Sequence, residues 1–249
     1  MDFPVEIGIG AFKISAHMVF EVLAFVIGFQ YYLHLRKKQD DVISESNRLW
    51  IIIGAAFGAF FFSRLIGALE DPISWFQDDY LLLYFFKNKT IVGGLLGGLF
   101  GVEIMKWRIG EKHSSGDLFT FPLILAMIIG RIGCFSSGVY EATYGIATDL
   151  PWGLDLGDGI HRHPVSLYEI VFLMLLAFVL FMIKSKASLK SGSIFKLFLS
   201  AYLIFRFFIE YIKPGYRFDF GFSTIQLTCL LGLIYYFLLY FRDKRASIK

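Results

Sequence analysis

The chain has 249 residues, with 24 Lys and Arg against 21 Asp and Glu for a net charge of +3, and 56% of it is hydrophobic before its 24 glycines are counted. By a similar count soluble domains reach roughly 45–50%, so an ordinary water-soluble globule is excluded, and a charge this small and this segregated leaves no footprint for nucleic acid. The two cysteines, Cys134 and Cys229, stand far apart with no CxxC or histidine spacing around them, so neither a disulfide framework nor a zinc site is expected.

These properties read as an all-α integral membrane protein, a single membrane domain over residues 1–249. A helix needs roughly 17 to 25 residues to cross a hydrocarbon core about 30 Å thick. Seven segments meet that length, at Ile14–Leu35, Leu49–Leu69, Thr90–Trp107, Leu118–Phe135, Val165–Ile183, Ile194–Ile212 and Phe222–Phe241. The opening MDFPVEIGIG lacks the basic region of a signal peptide, so the first segment is expected to stay as a span. The alternating pattern of a lipid-facing barrel strand is absent.

Charge gives an orientation. The first, third and fifth connections and the C-terminal tail hold fifteen Lys and Arg, and the opposite side holds six. The positive-inside rule then puts the N-terminus outside and the C-terminus in the cytoplasm. Both long connections, 70–89 and 136–164, fall outside. The second contains TDLPWGLDLGDGIHRHP, whose glycines and prolines predict a small ordered extracytoplasmic cap.

Three basic residues remain inside spans: Arg64, Arg131 and Arg206. An arginine at the centre of a span costs about 2.5–3.5 kcal/mol on insertion scales, so each calls for a reason. Arg206 and Glu210 are four apart on one helical face, an arrangement that serves either an internal ion pair or a site. Arg64 and Arg131 have no acid at helical spacing. They call for a bound anion, a partner from another helix or the headgroup layer, and the bound anion is the reading taken here. Glycines recur at four-residue spacing at Gly93, Gly97 and Gly101, at Gly94 and Gly98, and at Gly54 and Gly58. Such faces let helix backbones approach closely, and they can also leave room for an acyl chain.

Several of these motifs together resemble the prolipoprotein diacylglyceryl transferase family. They are GRIGCFSSG at 130–138, RHPVSLYE at 162–169, FRFFIEYIK at 205–213 and the Ser223-x-x-Gln226 pair, with Arg64-Leu65 and Gly93-Gly94 earlier in the chain. The resemblance covers essentially the whole chain. It implies a multi-pass enzyme of the bacterial cytoplasmic (inner) membrane. Such an enzyme moves the diacylglyceryl group of phosphatidylglycerol, or a related anionic phospholipid, onto the lipobox thiol in the signal peptide of a preprolipoprotein. It implies no metal and no soluble cofactor. Arg131 is then expected against the phosphate, with Arg206 and Glu210 completing the catalytic site. Arg64, the glycines Gly93, Gly94, Gly133 and Gly138, and Ser137 become candidates for substrate binding, as do Gln226 and the Arg162, Tyr168 and Glu169 of the RHPVSLYE motif.

The chain departs from the family pattern in its acceptor-activating part. Val92 stands where the family has a histidine before the paired glycines, and Cys134 stands where it has an asparagine. Glu141 lies near, but out of register with, the acid that follows that asparagine. His17 and Met18 occupy the neighbourhood of a Trp-Tyr pair. His163 is a candidate replacement for the missing histidine, or a capping residue beside Pro164. His17 reads equally as an interface or a pocket residue. Arg162 either braces the cap or meets a lipid headgroup, and Tyr168 and Glu169 are expected to orient Arg131 or Arg206. Cys134 reads chiefly as a small buried residue, with a nucleophilic role as the alternative. A paralogue with a different acceptor and a non-enzymatic phospholipid-binding protein remain as alternative functions.

Overall fold

The computed structural model describes residues 3–9, 12–39, 41–186 and 189–246. A short antiparallel hairpin of β1 (Glu6–Ile9) and β2 (Phe12–Ser15) runs directly into α1 (Ala16–Lys38). Then come α2 (Glu45–Ala68), two short helices α3 (Pro72–Gln77) and α4 (Leu81–Lys87), α5 (Ile91–Ile109) and α6 (Asp117–Ser137). A second hairpin, β3 (Leu154–Asp155) with β4 (His161–Arg162), precedes α7 (Val165–Lys186), α8 (Ser193–Ile209) and α9 (Thr224–Ala246). Each apolar segment expected from the sequence contains a helix. The 70–89 connection, read from the sequence only as a loop, holds α3 and α4.

Five of the helices, α1, α2, α6, α7 and α9, are long and apolar enough to cross a membrane; α4 and α5, bent by 92° at their break, would make a sixth if taken as one span. Helix α8 has 17 residues, and α5 alone carries Glu103, Lys106 and Arg108. Polarity is distributed inside out. Phe25 and Phe57 are 74% and 72% exposed, while Arg131, Glu169, Arg206, Glu210 and Gln226 are buried. Aromatic rings on the outside and charges within are the pattern of a helical protein whose solvent is lipid.

Local chemistry sets the helix ends. Ser44 starts α2 by accepting a hydrogen bond from the Asn47 N–H at 3.3 Å. Gly110, at φ 69°, closes α5 in the left-handed region, where its N–H donates to the Lys106 carbonyl. Arg36, Lys37 and Lys38 fill the last turn of α1, where cations suit the helix dipole. Asp117 begins α6 and also caps α8, its carboxylate accepting the N–H of Gly192 at 2.6 Å and of Phe195 at 2.9 Å.

The elements group into two compact units. The first holds both hairpins, α1, α6, α7 and the start of α8 through Phe198; the second holds α2 to α5, α8 from Leu199, and α9. In the first, α1 lies along α6 and α6 against α7. A methyl added at Gly28 would sit 2.9 Å from Ala126 Cβ, and one at Gly133 would sit 2.9 Å from Phe20 Cβ and 3.1 Å from the His17 carbonyl oxygen. Tyr32 stacks on Phe119 with ring centroids 4.4 Å apart. In the second unit the glycine faces do what their spacing predicts. A Cβ on Gly54 would lie 2.7 Å from the Gly101 carbonyl oxygen, and one on Gly58 would collide with that of Gly97. Helices α2 and α5 therefore touch backbone to backbone.

Residues 138–163 are tied into an ordered segment. Gly145 and His163 exchange bonds with each other's strand, Gly145 N to His163 O at 3.0 Å and His163 N to Ile146 O at 3.1 Å. The Asp155 carboxylate accepts the N–H of Gly157 at 2.9 Å and of Gly159 at 3.0 Å, which holds its carboxyl below the usual carboxylate range. Arg162 donates to Asp158 at 2.8 and 2.7 Å and lies over the Tyr144 ring at 5.1 Å. That hydrogen bond likewise holds the Asp158 carboxyl low. Of the two roles read for Arg162, the brace of this segment is the one its contacts serve.

Two predictions follow from this packing and this segment. Gly101→Ala, whose new methyl would meet the Gly54 backbone, should cost about 1–3 kcal/mol and lower the thermal midpoint in detergent by several degrees. Gly98→Ala, with its nearest neighbour at 3.5 Å, should stay within about 0.5 kcal/mol of the parent. Asp155 and Asp158 have lowered carboxyl pKa values when folded, so their contribution is complete above the unfolded value of about 3.9 and fades as pH falls below it. Hydrogen exchange of residues 145–163, corrected for intrinsic rates, should be flat from pH 8 to 5 and rise toward pH 3. In Asp158→Asn it should be high throughout.

Candidate active site

In the first unit the charged core is built where α6 meets α7. Arg131, one and a half turns from the end of α6, places its Nε 2.8 Å from Glu169 Oε1, and both side chains are buried. The sequence offered Arg131 no acid at helical spacing; the partner comes from the second turn of α7. Arg131 also donates through Nη1 to Cys134 Sγ at 3.5 Å. Near that thiol stands His17, in the first turn of α1. His17 Nε2 is 3.7 Å from Glu21 Oε2 and 3.7 Å from Glu141 Oε1, within ion-pair range and longer than a hydrogen bond. A cavity of about 10 Å³, room for one water, is lined by Cys134, Thr143, Tyr144 and Ser166 among others.

Around this core the other expected residues of the unit serve as supports. Gly133 lets the His17 turn reach α6, and Ser137 is buried at the end of α6. Gly138, at φ 59°, turns the chain where a Cβ would strike the Leu156 carbonyl oxygen. His163 is half-buried, with Nδ1 3.2 Å from the Tyr168 hydroxyl and its ring edge-on to Tyr168. The motif thus joins His163 to Tyr168 and Glu169 to Arg131.

The second unit holds the other cluster. Arg206 Nη2 donates to Glu210 Oε2 at 3.2 Å, so the spacing of four on one helix does form an ion pair. Glu210 starts a 3-10 turn, Glu210–Ile212, at the end of α8, and its other oxygen accepts from Ser223 Oγ at 3.4 Å. Gln226 is wholly engaged: its oxygen accepts the Ser223 N–H at 2.9 Å and its amide donates to the Phe207 carbonyl at 3.2 Å. Arg217 donates to the Glu210 carbonyl at 2.8 Å and to Gln226 at 3.4 Å. In the sequence Arg217 was only a loop charge; no spacing rule connects it to Glu210. On α2, Arg64 lies over the Phe60 ring at 5.1 Å, and its Nε is buried without a hydrogen bond. Gly93 lies against the Phe62 carbonyl in the α2–α5 seam, whereas Gly94 has its nearest neighbour at 3.7 Å. Val92, beside them, is fully buried.

What each cluster can do follows from its groups. A guanidinium has five donors in a planar fork and suits phosphate oxygens bidentately. A carboxylate beside it fixes its orientation and answers its charge while no other anion is bound. Buried arginines of this kind are equipped for anionic phosphate chemistry.

Comparison with known proteins agrees with this chemistry. The family model for prolipoprotein diacylglyceryl transferase matches residues 4–242. The chain is 33% identical over 171 residues to a phosphatidylglycerol–prolipoprotein diacylglyceryl transferase of Nitratidesulfovibrio vulgaris, covering 61% of this chain and 64% of that one. It is 31% identical over 185 residues to the enzyme of the same name from Solidesulfovibrio magneticus, covering 70% and 64%. With that of Glaesserella parasuis it shares 29% over 223 residues, covering 84% and 79%. The chain spans about 64% of the length of the first two relatives. With a match that runs through both units and takes in every motif of the two clusters, the chain belongs to the prolipoprotein diacylglyceryl transferase family.

Proposed function

We propose that the protein transfers the diacylglyceryl group of phosphatidylglycerol to the lipobox cysteine thiol of a preprolipoprotein in the bacterial cytoplasmic membrane, releasing glycerol phosphate. The observation that carries this reading is the buried Arg131–Glu169 contact at 2.8 Å. Negative charge develops on the phosphate as the glyceryl C–O bond breaks, and an arginine fork already oriented in a low-dielectric site stabilises it without reorganisation. Within the second unit Arg206 and Glu210 form an oriented pair of their own, and Ser223, itself held by Gln226, donates to Glu210. Arg64 has the position and the unpaired Nε to meet a headgroup. Gly94, where a Cβ would make only ordinary contact at 3.7 Å, is the glycine offered for an acyl chain; Gly93, Gly133, Ser137 and Gly138 shape the scaffold. Tyr168 positions His163, which remains a candidate for handling the acceptor's proton.

In this reading all seven long helices span, with the N-terminus outside, the C-terminus in the cytoplasm and the 136–164 segment as the outer cap. Helix α8 is long enough once its 3-10 turn is added: 17 and 3 residues rise about 31 Å together. One observation favours a second reading, a paralogue with another acceptor. Val92 is fully buried and offers no proton acceptor where the family pattern has a histidine.

Purified protein incubated with labelled phosphatidylglycerol and a lipobox peptide should give a thioether-linked diacylglyceryl peptide. Arg131→Ala and Arg206→Ala should each lower the rate about 10²–10³-fold, with Lys a poor substitute in both positions. Lipid bound and intact with no product would count against transfer, and an adduct on a hydroxyl or amine of a membrane extract would decide for the paralogue.

A further inference from the structure

From the sequence His17 read equally as an interface or a pocket residue, and the fold brings it to the first cluster. The N-terminal segment staples it there: Val5 N donates to Ser136 O at 2.8 Å, and Ala16 N donates to Val5 O at 3.0 Å. The first turn of α1 is thereby held on the last turn of α6, and the bare Gly133 allows the contact. The histidine lies near the Cys134 thiol, to which Arg131 Nη1 donates at 3.5 Å. Nε2 is flanked by Glu21 and Glu141, each at 3.7 Å, and Nδ1 is buried with no hydrogen bond. The remaining charges on the packed elements are engaged elsewhere, Glu169 with Arg131 and Lys13 of β2 with Glu6 at 3.2 Å.

We infer that His17 is the base that takes the proton of the acceptor thiol in this protein, oriented by Glu21 and Glu141 and set beside the phosphate-binding Arg131 through Cys134. The inference rests on the transferase reading above. The acceptor S–H proton goes to the imidazole Nδ1, and the sulfur lone pair forms the new bond to the glyceryl carbon. The bond from that carbon to the phosphate ester oxygen breaks, the O–P bond stays intact, and the electron pair leaves on the oxygen of glycerol phosphate, where Arg131 neutralises it. The two carboxylates balance the imidazolium until its proton passes to the departing phosphate or to water. No oxidant or further reactant is needed. A covalent role for Cys134 is not part of this scheme: a thioether to the enzyme would have to leave as a thiolate from a saturated carbon. Its part is to position the ring against Arg131.

The test uses the full chain in phosphatidylglycerol nanodiscs with a lipobox peptide from pH 6 to 9. His17→Gln should lower kcat/KM for the peptide about 10²–10⁴-fold at pH 7, and the deficit should shrink toward pH 9, where a thiol of ordinary pKa about 8.5 ionises unaided. Phosphatidylglycerol binding should change less than about twofold, which shows that the variant is folded, and added imidazole should restore part of the rate to His17→Ala. Iodoacetamide alkylation of Cys134, read by mass spectrometry, needs no turnover; it should slow at pH 7 in His17→Gln. An active wild type whose rate and pH profile survive His17→Gln overturns the inference alone, as does alkylation indifferent to His17. A wild type that makes no product while its Cys134 alkylation depends on His17 overturns the transferase reading instead.

Discussion

An arginine surrounded by lipid-facing helices has to have its charge answered, and in this fold Glu169 answers Arg131. Taking the two groups out of water costs several kcal/mol per ion, and their attraction recovers it only in good geometry. The contact at 2.8 Å therefore dictates much of the first unit. It draws the start of α7 against the end of α6, which in turn settles where the RHPVSLYE motif turns from ordered loop into helix. Apolar residues of similar volume would hold these helices together at least as well. A charged pair in their place is more than packing alone requires, and phosphate binding is the use proposed for it.

The glycines make the rest of that geometry possible. In the second unit they remove side chains from the α2–α5 seam, where Gly93 lies against Phe62. In the first they do the same at Gly28 and Gly133, so that the opening turn of α1 presses on α6. That second seam delivers His17 to Cys134. The cysteine that stands where the family pattern has asparagine thus lies near a histidine from another helix, and in the proposed scheme that histidine takes the acceptor-activating role.

The architecture was largely legible in the residues because lipid imposes simple rules. Length and apolarity marked each long helix, and four-residue glycine spacing marked a close seam. The pairing of Arg206 with Glu210 needed only the helical repeat. What escaped was set by contacts between elements distant in sequence. Arg131 and Glu169 are 38 positions apart, and although Glu169 was expected to orient Arg131 or Arg206, no spacing chose between the two. Arg217 looked like one more loop charge until the turn after α8 brought it to Glu210 and Gln226. Helices α3 and α4 were missed because six or seven residues are too short for periodicity to declare itself. His17 was undecidable for the same reason: its neighbours come from α6 and from the turn beyond it.

The central claim is that the buried pair exists for the lipid phosphate and not for the fold. It is tested most directly by replacing both members with apolar residues, Arg131→Met with Glu169→Leu, and measuring phosphatidylglycerol retention by native mass spectrometry alongside the thermal midpoint. The account predicts a double variant as stable as the parent, or more so, that no longer prefers phosphatidylglycerol over a zwitterionic lipid. A double variant that keeps the preference, or that unfolds for want of the pair, would contradict it.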